Sequence, residues 1–196
     1  MNMEIFKIIN NLAYKNAISD KIMIFFSNDV PYIFMAVIVF VFISGIIKNK
    51  KESRKVAVNT VVITVINLII NLIIRSIFHI NRPFVNNNVN LLVSHDTASS
   101  FPSNHATGTM SIAVGLNKYN KILGVIMTIL SVIVGFSRIY VGDHYPIDII
   151  GSYIIVYITN RVYNLALKNK IEGYYMSIEN LILGKYRKKK YFSHFH

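Results

Sequence analysis

The chain has no cysteine in its 196 residues, which excludes disulfides, thiolate metal sites and a cysteine nucleophile but leaves the compartment open. Acidic residues are scarce, 9 against 21 lysines and arginines, giving a formal net charge of +12. Neither an HExxH motif nor a paired acidic motif is present, so the usual zinc-hydrolase patterns do not apply. There is no internal repeat, and the one biased tract is the basic tail at residues 185–190. What the chain has instead is apolar bulk. At 53% hydrophobic residues and a mean hydropathy of +0.45, it is too apolar for an ordinary soluble domain of this length. The positive charge lies beside apolar segments rather than along a soluble face, which favours anionic membrane lipid over nucleic acid as a partner.

Five apolar stretches are expected to span a bilayer: residues 31–47, 56–78, about 106–116, 122–136 and 147 to about 167. A span takes about 20 apolar residues, so the second and fifth suffice alone and the others depend on their flanks. The third is the shortest. Its Gly108, Thr109, Ser111, Ala113 and Gly115 suit a helix enclosed by others better than one facing lipid. Ahead of the spans, Ile5, Phe6, Ile9 and Leu12 recur at helical spacing among Lys7, Asn10 and Asn11. The predicted fold is therefore all-α, an integral membrane bundle of about five transmembrane helices preceded by an interfacial amphipathic helix. The apolar piece at 21–26 is too short for a sixth span, and the early charges argue against a cleaved signal peptide. This gives one domain over residues 1–196, with an interfacial region at 1–30, the bundle at 31–167 and a basic cytoplasmic tail at 168–196.

Lysines set the orientation. The basic link at 48–55, Lys118 and Lys121 between the third and fourth spans, and the basic tail all belong to the cytoplasm by the positive-inside rule. That threading puts Arg82, His105 and His144 on the opposite, external face.

Nearly all the candidate site chemistry falls in three clusters at the ends of apolar runs, residues 75–83, 102–105 and 137–148. On the second span Thr60, Thr64, Asn67, Asn71 and Arg75 form one polar stripe at helical spacing. The threonines and asparagines read as polar contacts between helices. Arg75 differs, because a guanidinium facing a bilayer costs at least about 2.5–3.5 kcal/mol and calls for an anion or water. Ser103 is placed as the N-cap of the third span, where exposed backbone N–H groups favour an anion. His105, read alone, serves equally as a capping or interfacial residue. His144 and Asp148 lie four apart, so the carboxylate can hold one ring nitrogen and raise the nucleophilicity of the other. Taken singly, such a pair is more often a structural hydrogen bond. Together the clusters outline a site for a phosphate ester or anhydride.

In chain order, Arg75-x6-Arg82-Pro83, Pro102-Ser103-x-His105 and Ser137-Arg138-x5-His144-x3-Asp148 resemble the three-part signature of the type 2 phosphatidic acid phosphatase superfamily. Within it, the opening MNMEIFK and the stretches RPFV at 82–85, SFPS at 100–103, GFSR at 135–138 and VGDHYP at 141–146 resemble the bacitracin-resistance type of undecaprenyl pyrophosphate phosphatase. Two positions depart from the superfamily pattern. Arg75 stands where a lysine is usual, exchanging a point charge for a planar fork, and Asn104 stands where a glycine is usual.

The resemblance implies a cofactor-free bundle in which Arg75, Arg82, Ser103, Asn104 and Arg138 bind phosphate. His144, oriented by Asp148, attacks phosphorus to give a phosphohistidine, and His105 protonates the leaving group. It also implies a lipid pyrophosphate substrate, undecaprenyl pyrophosphate going to undecaprenyl phosphate, at the external face of a bacterial cell membrane. Recycling of the peptidoglycan lipid carrier and bacitracin resistance would follow. Phosphatidylglycerol phosphate and phosphatidic acid present a similar head group and stay as alternatives. A metal centre built from His105, Asp143, His144 and Asp148 is the chemical rival, but three neighbouring arginines would repel a dication, and none is expected. From another class, a lipid-phosphate carrier could use the arginines to bind and the polar stripe as a path, although no inverted repeat is visible. His79, His95, His194 and His196 read as interfacial or tail residues, and the loop at 86–99, with Asp96, as a mobile cover for the site.

Overall fold

Helices begin where the sequence supplies caps. The Asn16 side chain accepts from the N–H groups of Ile18 and Ser19, Ser103 from Ala106 and Asn120 from Leu123, while Pro31 and Pro146 occupy first turns. The computed structural model describes residues 2–94 and 99–192, with side chains to residue 182. His95, Asp96, His194 and His196 lie outside the described residues. The elements are α1 (Asn2–Asn10), α2 (Ala17–Asn28), α3 (Val30–Ile47), α4 (Lys51–Ile77), α5 (Pro83–Asn86), α6 (Asn104–Leu116), α7 (Lys121–Tyr140), α8 (Pro146–Ala166) and α9 (Lys168–Phe192). No strand occurs among the described residues, as the all-α reading predicted.

Three helices, α3, α4 and α7, are long and apolar enough to cross a membrane. The expected number of five is not reached on length and apolarity. The third stretch folds as α6, which is only 13 residues. The fifth folds as α8, which has 21 residues but carries Asp148, Ser152, Thr159, Asn160, Arg161 and Asn164.

The small residues of α6 place it at the centre of the bundle, as their composition implied. It packs against α3, α4, α7 and α8, and Ala106, Thr107, Thr109, Met110, Ser111, Ile112, Ala113, Gly115 and Leu116 are buried. Gly115 is needed because a Cβ there would stand 2.4 Å from the Thr60 hydroxyl on α4. The polar stripe of α4 binds this helix. Asn67 Nδ2 donates to Ser111 Oγ at 2.8 Å and Asn71 Nδ2 to Thr107 Oγ1 at 2.8 Å. On the other side, the hydroxyls of Thr109 and Ser131 on α7 share a 2.8 Å hydrogen bond. Interhelical bonds of this kind contribute about 0.6–2 kcal/mol each. Below them, Phe34, Ile38, Val41, Ile112, Leu116, Met127 and Val134 form the main apolar core.

Packing gives three segments a place that the sequence did not show. The N-terminal helix does not turn its whole apolar stripe to the membrane: Ile5 and Leu12 are exposed, whereas Phe6 is buried against Ala106, Ile139 and Ile149 at one end of the bundle. The short segment rejected as a span forms α2, packed on α3 and α7. The tail is not merely a basic extension either. Helix α9 returns to α4, where Arg54 pairs with Glu179 at 2.6 Å and Asn59 donates to Glu172 at 3.0 Å. At that end Lys55, Lys118 and Lys168 line a common cavity of about 340 Å³.

Candidate active site

At the opposite end, the C-termini of α4 and α7 meet the N-termini of α5, α6 and α8, and each delivers part of one polar cluster. Arg82 caps the four-residue α5, and Arg138 arrives in the last turn of α7. They are 7% and 1% exposed, so both guanidiniums are enclosed. Buried charges need compensation, and it comes from Asp143, also buried, which pairs with Nη1 of Arg82 through Oδ1 and with Nη2 of Arg138 through Oδ2. Arg138 also donates from Nη1 to Ser27 Oγ on α2 at 2.5 Å.

His144 follows directly. Its N–H and that of Asp143 both reach the carbonyl of Arg138, at 3.2 and 3.1 Å, so the turn after α7 folds back over its own last residues. Gly142 makes this turn possible, with φ at +91° and room for no Cβ beside the carbonyl of Asn90, 2.7 Å away. Nε2 of His144 lies 3.2 Å from Asp143 Oδ2 and faces the arginines, while Nδ1 lies 3.5 Å from Asp148 Oδ2. The expected link between His144 and Asp148 is therefore present but long, and Ser100 completes it. The Ser100 hydroxyl donates to Asp148 Oδ2 at 2.5 Å and stands 3.3 Å from Nδ1, where it can accept the Nδ1 proton. Asp148 Oδ2 is further held by the Tyr145 N–H at 2.8 Å. Burial pushes the His144 imidazole below its usual range, against the opposing pull of Asp148 and Asp143, and so favours the neutral form that a nucleophile requires.

The other predicted residues lie at the start of α6 and the end of α4. Ser103 caps α6, its hydroxyl 3.5 Å from the Ala106 N–H, and its own N–H donates to Ser152 Oγ at 2.9 Å. Asn104 is exposed and accepts from Asn71 Nδ2 at 3.1 Å, joining the polar stripe to the site. His105 is half-buried in the first turn of α6. Arg75 donates to the carbonyl of Ser99 and lies within electrostatic reach of Arg82, Asp143 and Asp148. Two apolar grooves flank these residues. One, of about 680 Å³, runs along Val65, Leu68, Ile69 and Leu72 to Arg75, His79 and Asn104, and the other, of about 310 Å³, runs along Met35, Leu68 and Ile112 to His105.

Three residues escaped the sequence reading. Ser27 carries no signal, because it lies just past the short apolar piece at 21–26 and outside all three clusters. Ser100 lay just outside the second cluster. Asp143 was weighed as a metal ligand, but its carboxylate binds two arginines. Among the described residues no group of three or more His, Asp or Glu is placed to hold a metal ion. The loop expected to be mobile is tied down where it is described. Asn10 Nδ2 donates to the Asn90 carbonyl at 2.7 Å, the Asn90 N–H returns to Asn10 Oδ1 at 2.8 Å, and the Leu92 N–H reaches the Val141 carbonyl at 3.1 Å.

The PAP2 superfamily model matches residues 56–171, which include every cluster described above. Undecaprenyl-diphosphatase BcrC of Bacillus subtilis (strain 168) is 34% identical over 158 residues, covering 81% of this chain and 80% of that protein. The undecaprenyl-diphosphatase of Sulfolobus acidocaldarius is 31% identical over 164 residues, 79% of this chain and 72% of its own. Among solved structures, Aquifex aeolicus LpxE superposes with a TM-score of 0.69 over 82% of this chain and 93% of that one, at 24% identity, a likeness of fold.

Proposed function

This chain belongs to the PAP2 superfamily and is a membrane lipid phosphatase, and we propose that it converts undecaprenyl pyrophosphate to undecaprenyl phosphate through a phosphohistidine on His144. The observation that carries this reading is the placement of His144, with Nε2 toward the Arg82–Arg138 pair and Nδ1 toward Ser100 and Asp148. The relatives named above as undecaprenyl-diphosphatases supply the substrate class.

In this mechanism Arg82 and Arg138 hold the terminal phosphate by planar forks, with Arg75, Asn104 and the N–H groups at the start of α6 adding positive potential. Ser103 shapes that helix start. Neutral His144 attacks phosphorus in line with the bridging oxygen. The N–P bond forms as the P–O bond breaks, and the arginines stabilise the charge spread over the equatorial oxygens. His105 gives its proton to the departing lipid phosphate. Water then attacks phosphorus while His105, now neutral, takes its proton; the N–P bond breaks, inorganic phosphate leaves, and the His144 imidazole and the His105 imidazolium are both restored. The chain's own groups account for every proton and charge in this scheme, without a cofactor.

The apolar grooves beside Arg75 and His105 fit a long hydrocarbon chain entering from the bilayer while the head group reaches the arginines. The gathering of Lys55, Lys118 and Lys168 at the far end supports an external active site by the positive-inside rule, with five helices of the bundle crossing the membrane. On this reading residues 1–196 form one domain, with the N-terminal region at 1–30, the bundle at 31–167 and a helical tail at 168–196.

The test is phosphate release from undecaprenyl pyrophosphate by the purified protein in detergent with EDTA. Release by wild type and its loss in His144→Ala support the reading. No release in EDTA, restored by zinc, overturns the metal-free scheme; release only from phosphatidylglycerol phosphate overturns the substrate.

A further inference from the structure

The mechanism above leaves one buried carboxylate at the site without a task, that of Asp143. Its two oxygens are divided between the forks of Arg82 and Arg138, and Oδ2 also lies 3.2 Å from His144 Nε2. This planar anion bridges two guanidiniums in front of the attacking nitrogen, where two oxygens of a bound phosphate would lie. Both enclosed guanidiniums are stabilised by this pairing while no phosphate is bound. The same oxygen stands 3.2 Å in front of Nε2, in the space that phosphorus must enter for attack.

We propose that Asp143 is an internal surrogate for phosphate: it fills the arginine cradle and covers Nε2 of His144, and a substrate engages the site only by displacing it. The inference rests on the phosphatase reading above. Because the N–H groups of Asp143 and His144 are both fixed to the Arg138 carbonyl, displacement is a rotation of the Asp143 side chain that leaves the histidine in place. The displacement term opposes every phosphate ligand alike. A lipid pyrophosphate offsets it through its chain in the apolar grooves, whereas inorganic phosphate has no such contribution and is held weakly. Product leaves readily, and the nucleophile is uncovered only when a phosphate has arrived.

Calorimetric titration of inorganic phosphate into wild type and Asp143→Asn in detergent tests this, with turnover of undecaprenyl pyrophosphate followed in parallel. Removing the competing charge should tighten phosphate binding about tenfold or more, equivalent to about 1.4 kcal/mol, and make phosphate a correspondingly stronger competitive inhibitor. Should the asparagine variant fold poorly, Asp143→Ser provides the same comparison, and phosphate in the purification buffer should restore the folding of either. Phosphate binding no tighter than wild type in a folded variant overturns the proposal. So does failure of both variants to fold even in phosphate, because the carboxylate would then be a structural counter-ion that phosphate does not replace. If wild type turns over no lipid pyrophosphate, the substrate reading falls, while the phosphate comparison still decides the role of Asp143.

Discussion

Arg138 on α7 and Ser27 on α2 are joined by a 2.5 Å hydrogen bond, both side chains buried. This single contact makes the N-terminal helices part of the site, because one fork of a candidate phosphate-binding arginine is positioned from outside the three sequence clusters.

Ser27→Ala should therefore weaken both fold and binding. Leaving a buried charged donor without its acceptor costs about 1–3 kcal/mol, so thermal unfolding in detergent should shift downward. KM should rise with kcat changed less. An unchanged KM would show that the Ser27 contact does not set the position of Arg138.

Ser100 stands between His144 Nδ1 and Asp148 Oδ2, whose direct separation is 3.5 Å. Ser100→Ala removes the bridging hydroxyl and should lower kcat about tenfold with little effect on KM, since orientation of the nucleophile matters most in the transition state. Asp148→Asn should be more severe. Equal kcat in wild type and Ser100→Ala would make the direct pair sufficient.

His105 is assigned the proton donated to the departing lipid phosphate. General-acid catalysis contributes about 10²–10⁴ in rate, so His105→Ala should lose roughly that with the natural substrate. With p-nitrophenyl phosphate, whose leaving group needs no proton, the loss should be far smaller. A similar loss with both substrates would remove His105 from the acid role.

Burial holds the His144 imidazole below its ordinary value of 6.5. A base whose pKa is depressed by folding binds its proton first in the unfolded chain, so its contribution to stability is complete above about pH 6.5 and is lost as pH falls below it. Thermal stability should fall in that acid window, and His144→Gln should flatten the dependence. The rate should follow a bell whose acid limb lies below pH 6.5, from protonation of His144, and whose alkaline limb, from His105, disappears in His105→Ala. An acid limb above pH 6.5 would count against His144 as the neutral nucleophile.

The helical frame was legible because composition and cap chemistry act locally. Ser103 caps α6 as its position implied, and the glycine, alanine and serine content of α6 placed that helix inside the bundle. The stripe on α4 was legible too, as contacts from Asn67 and Asn71 to α6. Long-range packing was not. Phe6 faces Ile139 and Ile149 rather than lipid, and no periodicity within nine residues distinguishes a membrane surface from a protein one. Ser27 reaches Arg138 across 111 positions, and nothing near Ser27 in the sequence signals it. Asp143 was visible as a carboxylate beside His144, but only geometry shows it bridging Arg82 and Arg138.

The account centres on a covalent bond between phosphorus and His144, and that bond can be trapped. Wild-type protein mixed with undecaprenyl pyrophosphate and quenched within one turnover in alkali, where phosphohistidine survives, should yield a phosphorylated peptide containing His144, absent from His144→Ala and accumulating in proportion to turnover. Rapid phosphate release with no modified histidine, or with the phosphoryl group on another residue, would contradict the assignment of His144 as the nucleophile.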